Sequence, residues 1–331
     1  MAAASAVLAA PEDALVSAEQ AFAFLQRLPP PRAELRGEPP EAASVRLSPP
    51  LDFNGVTWPP ELAAEDRAAI QIALNISGSY EGDDGWRNVT GNFDGQGFSL
   101  GLLNQCLGQG SLQPLLIQMR DRNPEKLKSL LASKRLDSLL GMLRKWESAP
   151  SAESFSKRLS MFDGFSEDTD LAISARNQES VRWAVANLYS GDSFDPAWKA
   201  ELVALAASPE YVSLQIAAAL GLHARALDDE ARIGIRELRA YLMLFDVAVQ
   251  NGGLYPDDLS DYAAYVRANP RATNTSKLKK LLELRLRHVR KKYVADVRSR
   301  KSAIIDGTGK VHGEKRNLPV EYSYKPAGPY R

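Results

Sequence analysis

From residue 61 onward, apolar positions in this chain recur at helical spacing. Ala69, Ile72, Ala73, Ile76 and Tyr80 fall on one face, which predicts an amphipathic helix ending near Tyr80. Asn123-Pro124-Glu125, Asp195-Pro196 and Ser208-Pro209-Glu210 each set a capping side chain before a proline and predict helix starts. The last of these runs on through Leu214, Ala217, Ala218 and Leu222. Residues 228–250, with Ile235, Leu238, Leu242, Phe245 and Val249, predict one long apolar helix. Residues 256–269 predict a shorter one, and Ser276 opens a last long one to about Ser302. Between the first helix and the others, residues 82–110 hold eight glycines, the composition of a short hairpin sheet with tight turns. The expectation is a mainly α chain with a small sheet.

The leader reads differently. Ten of the 20 prolines fall in residues 1–60. Leu15, Ala18, Phe22 and Leu25, widened by Phe24 and Leu28, predict one helix over 14–28, which Pro29-Pro30-Pro31 ends. Residues 1–60 are therefore set apart as an Ala/Pro-rich leader and linker, a strap over the main unit or a docking segment for a delivery protein. Residues 61–315 form the main unit, and 316–331 a C-terminal tail.

Charge and cysteine narrow the partners. Lys plus Arg and Asp plus Glu are 41 each, so the zero net charge gives no whole-chain attraction to nucleic acid. Residues 277–301 carry 11 Lys or Arg, yet Leu278, Leu281, Leu282, Leu284, Leu286, Val289, Val294 and Val297 mostly follow one helical face. That stretch reads as a packed helix with a solvated basic side, or as a surface for an anionic polymer. Cys106 stands alone, so no intrachain disulfide forms. His223, His288 and His312 lack metal-ligand spacing with it or with one another, and neither metal nor cofactor is expected. No run of about 18 apolar residues exists to span a membrane. The first ten residues lack a basic n-region and meet Glu12 and Asp13, unlike a secretory signal. The chain is expected to be made in the cytoplasm and to reach any outside substrate by an unconventional route.

The candidate chemistry sits in residues 80–113. Glu81 stands at the end of an apolar helix, and Asp94 follows thirteen residues later in a Gly-rich hairpin segment. Two carboxyls so placed suit acid–base cleavage of a glycosidic bond: one protonated, to serve the leaving oxygen, and one ionised, to activate water. A semi-apolar wall would raise the Glu81 pKa toward the range a general acid needs. Asp83 and Asp84 compete with Asp94 for the second role. Thr90 could orient the water. Gln96, Ser99, Asn104 and Gln109 could hydrogen-bond sugar hydroxyls. Asp246 interrupts an apolar run and, with Gln250, either finds a buried partner or faces the cleft.

Several phrases carry a resemblance. They are Ala73-Leu-Asn75-Ile-Ser77, Thr90-Gly-Asn-Phe-Asp94-Gly-Gln-Gly97, Ser99-Leu-Gly101, Leu107-Gly-Gln-Gly-Ser-Leu-Gln-Pro-Leu-Leu116, Leu244-Phe-Asp-Val-Ala-Val-Gln-Asn-Gly252 and Asp306-Gly-Thr-Gly-Lys-Val-His-Gly313. Over roughly residues 60–315 the chain resembles lysozyme-like glycoside hydrolases, in particular family-46 chitosanases and related bacterial and phage muramidases. The resemblance implies an α+β lysozyme-like fold, two helical lobes with a small β-hairpin sheet beside the active-site cleft. It implies hydrolysis of β-1,4 amino-sugar linkages with inversion, Glu81 as acid and Asp94 as base. Peptidoglycan strands in the periplasm or wall of a target cell are the expected substrate. An antibacterial effector or lysis enzyme, with an immunity or delivery protein as partner, fits the missing signal. A chitosanase and an inactive wall-binding module are the alternatives.

Overall fold

A computed structural model of the chain describes residues 50–330 except 83, 94, 150–166 and 290. The leader helix expected over 14–28 lies outside the described residues. Within them the protein is mainly helical, with three small antiparallel sheets.

α1 (Ala64–Gly78) opens with Glu65 and Asp66 in its first turn, where the helix dipole favours carboxylates. Ala69, Ile70, Ala73, Leu74 and Ile76 are its buried face. At Gly78 any Cβ would collide with the Leu102 side chain, so glycine lets the following sheet press against the helix end. Two tight backbone bonds, Tyr80 N to Ser77 O and Glu81 N to Gly78 O, then carry the chain to Glu81. The first sheet has the order β1 (Val89–Thr90), β2 (Ser99–Leu100), β3 (Gln105–Cys106), with Thr90 opposite Ser99 and Ser99 opposite Cys106.

A second core lies under this sheet. It is built from α2 (Gln113–Arg122), α3 (Pro124–Leu130), α4 (Ser133–Ser148), α5 (Glu167–Asn187) and α6 (Pro196–Ala207), with the hairpin β4 (Tyr189–Ser190) and β5 (Ser193–Phe194) between the last two. α6 meets α7 (Pro209–Ile233) at 67° across Ser208, whose Oγ accepts the Tyr211 N–H. α7 belongs to both cores: Tyr211 and Leu214 face the second, Val212, Ile216, Ala219 and Leu220 the first. The first core is completed by α8 (Leu238–Asn251), α9 (Pro256–Ala268), α10 (Asn274–Leu286), α11 (Val294–Asp306), the hairpin β6 (Thr308–Val311) and β7 (Glu314–Asn317), and the short α12 (Leu318–Glu321). No single described helix is long and apolar enough to cross a membrane.

Three expectations change. The helix expected over 228–250 is two. α7 stops at Gly234, which takes the left-handed conformation (φ 70°), and α8 begins at Leu238. Between them Glu237 bridges to Pro329. The helix expected over 276–302 is also two, α10 and α11, because the residues of the break are tied elsewhere. Arg287 reaches Asp258 and Asp261, and His288 lies 3.2 Å from both Asp257 and Asp258, all on α9. The chain then reverses so that α11 packs beside α10. The expected tail is core: Leu318, Tyr324 and Tyr330 are buried in the first cluster, and Tyr330 donates its hydroxyl to Asp66 at 2.7 Å. Upstream, Leu51, Phe53, Val56 and Trp58 also pack against that core.

Candidate functional site

The end of α1, the first sheet and α11 converge on Glu81. Arg300 Nη1 donates to Glu81 Oε1 at 2.9 Å. The two side chains are 2% and 1% exposed, so this pair is removed from water. Glu81 as a residue is only half-buried, so its remaining exposure is backbone. Arg300 Nη2 reaches Asp246 Oδ1 at 2.8 Å, and Lys301 Nζ reaches Asp246 Oδ2 at 2.8 Å. Asp246 and Lys301 are fully buried. Lys301 also donates to Gln250 Oε1 at 2.6 Å, and Gln250 Nε2 to Asp296 Oδ2 at 3.2 Å. Asp296 Oδ1 lies 2.6 Å from His312 Nε2, on the β6–β7 turn, where His312 takes φ 50°.

Two carboxylates and two cations make the inner cluster formally neutral. Burial alone would push the Asp246 carboxyl up, but Arg300 first and Lys301 next hold it well below the usual carboxylate range. Burial works against the Arg300 charge, yet Asp246 and Glu81 lift it above the ordinary arginine value. For Lys301 burial is the larger effect and pushes the ammonium down despite Asp246. Two guanidiniums lie over the Tyr80 ring, Arg300 at 4.8 Å and Arg316 at 5.4 Å from its centroid. Arg316 is held by Glu321, Tyr322 and the Ser79 hydroxyl, so the C-terminal segment braces the residues just before Glu81.

On the sheet side, Asn104 Nδ2 donates to the Glu81 carbonyl at 3.0 Å and approaches Oε2 at 3.4 Å. Its Oδ1 accepts Asn88 Nδ2 at 2.8 Å and Thr90 Oγ1 at 3.4 Å. Asn88 Nδ2 also approaches the Glu81 carbonyl at 3.4 Å.

The residues expected to form the site therefore separate into groups. Glu81, Thr90 and Asn104 are brought together. Asp246 and Gln250 join them from behind, through Arg300 and Lys301. Neither the Glu81 side chain, at 1% exposure, nor the fully buried Asp246 reaches the surface in this conformation; Asp246, held from both sides by Arg300 and Lys301, takes the alternative expected for it, a buried partner. Gln96 and Ser99 also turn inward, at 5% and 6% exposure. The Gln96 amide fills the space a Cβ would need at Gly108, and its Oε1 lies 3.7 Å from Cys106 Sγ. Gln109 is half-buried in the turn after β3. Asp94 and its competitor Asp83 lie outside the described residues; Asp84 is exposed.

Arg300, Lys301 and Asn88 were missed. The sequence held a signal for the first two: Val297, Arg300, Lys301 and Ile304 fall at helical spacing, so both cations sit in an apolar stripe that can bury them only against anions. Elsewhere Asp257, Asp258 and His288 come within ligand distance of one another, but the Asp258 carboxylate is already engaged by Arg287. A cavity of about 400 Å³ between α4 and α5, lined by Met142, Lys145, Glu179 and Trp183 among others, contains none of the cluster residues. No family model, curated protein or solved structure matches the chain.

Proposed function

We propose that this protein is a lysozyme-like glycoside hydrolase that cleaves β-1,4 linkages of an amino-sugar polymer, with peptidoglycan as the preferred substrate and Glu81 as the proton donor. The observation that supports this reading is the Glu81 side chain at the meeting of the end of α1, the first sheet and α11, gripped by a fully buried guanidinium. A general acid must give its proton to the leaving oxygen in a place that water does not level, and with its side chain 1% exposed Glu81 does so only when the polymer displaces what covers it. Arg300 in contact favours the ionised form, whereas the acid role needs the protonated one. Asp246 supports the reading here, because Arg300 keeps a carboxylate partner when Glu81 takes a proton. Asp94 stays the proposed base, with Thr90 beside the water it would activate and inversion as the expected outcome. Delivery as an antibacterial effector or lysis enzyme belongs to the same proposal.

One observation favours a second reading. A carboxylate with 1% exposure and an arginine partner is also what a structural anchor looks like. A wall-binding module without turnover would keep the pair closed. The two readings part on purified peptidoglycan and on chitosan, followed by mass spectrometry of released fragments. The enzyme reading expects new reducing ends from wild type and a loss of about 10²-fold or more in Glu81→Gln, with polymer binding retained. Equal turnover in wild type and E81Q moves the acid role elsewhere. Binding of either polymer without any fragment establishes the module, and fragments from chitosan alone establish a chitosanase.

A further inference from the structure

The turn between β6 and β7 is His312-Gly313, and both residues take positive φ, 50° and 88°. Two central residues of that kind make a tight hairpin turn that asparagine followed by glycine serves best. The backbone therefore asks for asparagine at 312, and the imidazole is explained by what it touches. Its Nε2 lies 2.6 Å from Asp296 Oδ1 on α11, while the side chain keeps 32% of its surface open.

Which ring nitrogen carries the proton follows from a chain of partners that starts on a group with donors only. Lys301 Nζ donates to Gln250 Oε1 at 2.6 Å, which fixes the Gln250 amide, and Gln250 Nε2 donates to Asp296 Oδ2 at 3.2 Å. Burial works against the Asp296 charge, but the His312 contact first and Arg300 next hold its carboxyl below the usual carboxylate range. An ionised carboxylate only accepts, so His312 Nε2 is the donor. In the neutral imidazole Nδ1 is then an acceptor, and no described residue donates to it.

We propose that Asp296 and His312 form a proton-accepting dyad, in which Nδ1 takes a proton from water so that the water attacks an electrophilic carbonyl such as that of an ester. A carboxylate behind an imidazole fixes its tautomer and stabilises the imidazolium that forms. The inference goes beyond the glycosidase reading and stands apart from it, since it uses neither Glu81 nor Asp94. The charged and titratable groups around the ring are Asp296 in contact, Arg300 one turn further along α11, and Tyr80, whose ring centroid is 6.2 Å away. Its own hairpin adds Lys310, Glu314 and Lys315.

The probe is para-nitrophenyl acetate. As the water oxygen bonds to the acyl carbon, Nδ1 takes the water proton. The bond to the aryl oxygen then breaks, nitrophenolate leaves with the electron pair, acetate forms, and the imidazolium returns its proton to solvent. Wild type should hydrolyse the ester about tenfold faster than H312N, a smaller gain than a base gives on a substrate that is held. His223 and His288 are present in both, so the difference belongs to His312. The excess rate should rise with pH and level off as the imidazole becomes neutral, whereas attack by hydroxide keeps rising. Asparagine suits the turn, so the Tm of H312N should stay within about 4 °C of wild type.

D296N tests the orientation. Gln250 still needs an acceptor, so the new amide turns its oxygen to Gln250 and its NH2 to His312, and the imidazole proton moves to Nδ1. Nitrogen NMR of neutral His312 should show Nε2–H in wild type and Nδ1–H in D296N, with the ester rate of D296N down to that of H312N. Equal ester rates in wild type and H312N, a proton on Nδ1 in wild type, or an unmoved tautomer in D296N overturns the proposal and leaves the pair a hairpin latch. If H312N does not fold, D296N decides on the same two measurements.

Discussion

Asp246→Ala removes the one carboxylate that both buried cations share. Asp246 lies 2.8 Å from Arg300 and 2.8 Å from Lys301, and all three are withdrawn from water. After the change Arg300 keeps Glu81, but among the described residues Lys301 keeps only Gln250 Oε1 within hydrogen-bond distance of its ammonium. Breaking a buried pair by removing one partner costs about 3–5 kcal/mol, because the orphaned charge stays desolvated. Against the roughly 5–15 kcal/mol that holds a domain together, that is a large share. Urea denaturation followed by circular dichroism at neutral pH reads it as a lower midpoint with an unchanged slope. The double variant D246M/K301M should recover most of the loss, since it deletes one charge of each sign and leaves Glu81 and Arg300 as a balanced pair. The Asp246 carboxyl is held well below its ordinary value by Arg300 and Lys301 against the effect of burial. A depressed folded value means that its stabilisation is present above the unfolded value, about 3.9, and fades as pH falls from there toward the folded value. D246N should therefore lack that part of the wild-type acid destabilisation. A loss below about 1 kcal/mol in D246A, or a D246N curve parallel to wild type below pH 4, would refute the argument.

Two further substitutions probe the frame around the cluster. Gly101 has φ 83°, and a Cβ there would collide with Gln215 Oε1, which already accepts the Leu102 N–H; Gly101→Ala should cost about 2 kcal/mol or more in the same assay, and a neutral result would show that the turn yields freely. Tyr330→Phe deletes the buried hydroxyl that donates to Asp66, and should cost about 1–3 kcal/mol by leaving that carboxylate short of a donor, with an unchanged midpoint showing that the C-terminal segment is not needed as a clasp.

The starts of helices were the most legible feature. α3, α6 and α7 begin at Pro124, Pro196 and Pro209, where the cap-proline signal set them. Asp195 and Ser208 do accept backbone N–H groups, while Asn123 makes no such bond and its helix starts on the proline alone. Breaks inside apolar runs were hidden, because hydrophobic periodicity continues on both sides of them. Leu278 to Leu286 and Val297 to Ile305 face one core from two helices, and the reversal between them depends on Arg287 and His288 finding carboxylates on α9, a distant stretch of sequence. The tail was misjudged for a similar reason. Its tyrosines look like a polar, aromatic end, and only Asp66 and the Tyr241 ring, 4.5 Å from the Tyr330 ring, give them a place in the core. Glu81 was legible as a helix-end acid. Its partner Arg300 is 219 residues away, and no local pattern links the two.

The charge balance around Glu81 carries a last prediction about which proton matters. With Glu81 ionised, the group of Glu81, Asp246, Arg300 and Lys301 sums to zero. A proton on Glu81 makes it +1 in a site closed to water, and such an excess is expensive. The excess vanishes if Lys301 gives up its own proton, and burial already pushes its ammonium down. Removing Lys301 does the same permanently. In Lys301→Met the remaining three groups sum to −1 with Glu81 ionised and to zero with Glu81 protonated. The substitution should therefore favour the protonated acid. A general acid loses its proton, and the enzyme its rate, as pH rises. The alkaline limb of kcat/KM in K301M should thus lie at higher pH than in wild type, read on folded protein at a temperature well below its lowered Tm. Gln250 loses its donor but keeps Asp296, whose pairing with His312 is untouched, so the shift would come from the cluster itself. An alkaline limb that stays in place while the variant folds and turns over would show that Lys301 balances Asp246 alone and leaves the Glu81 proton to Arg300 and the substrate.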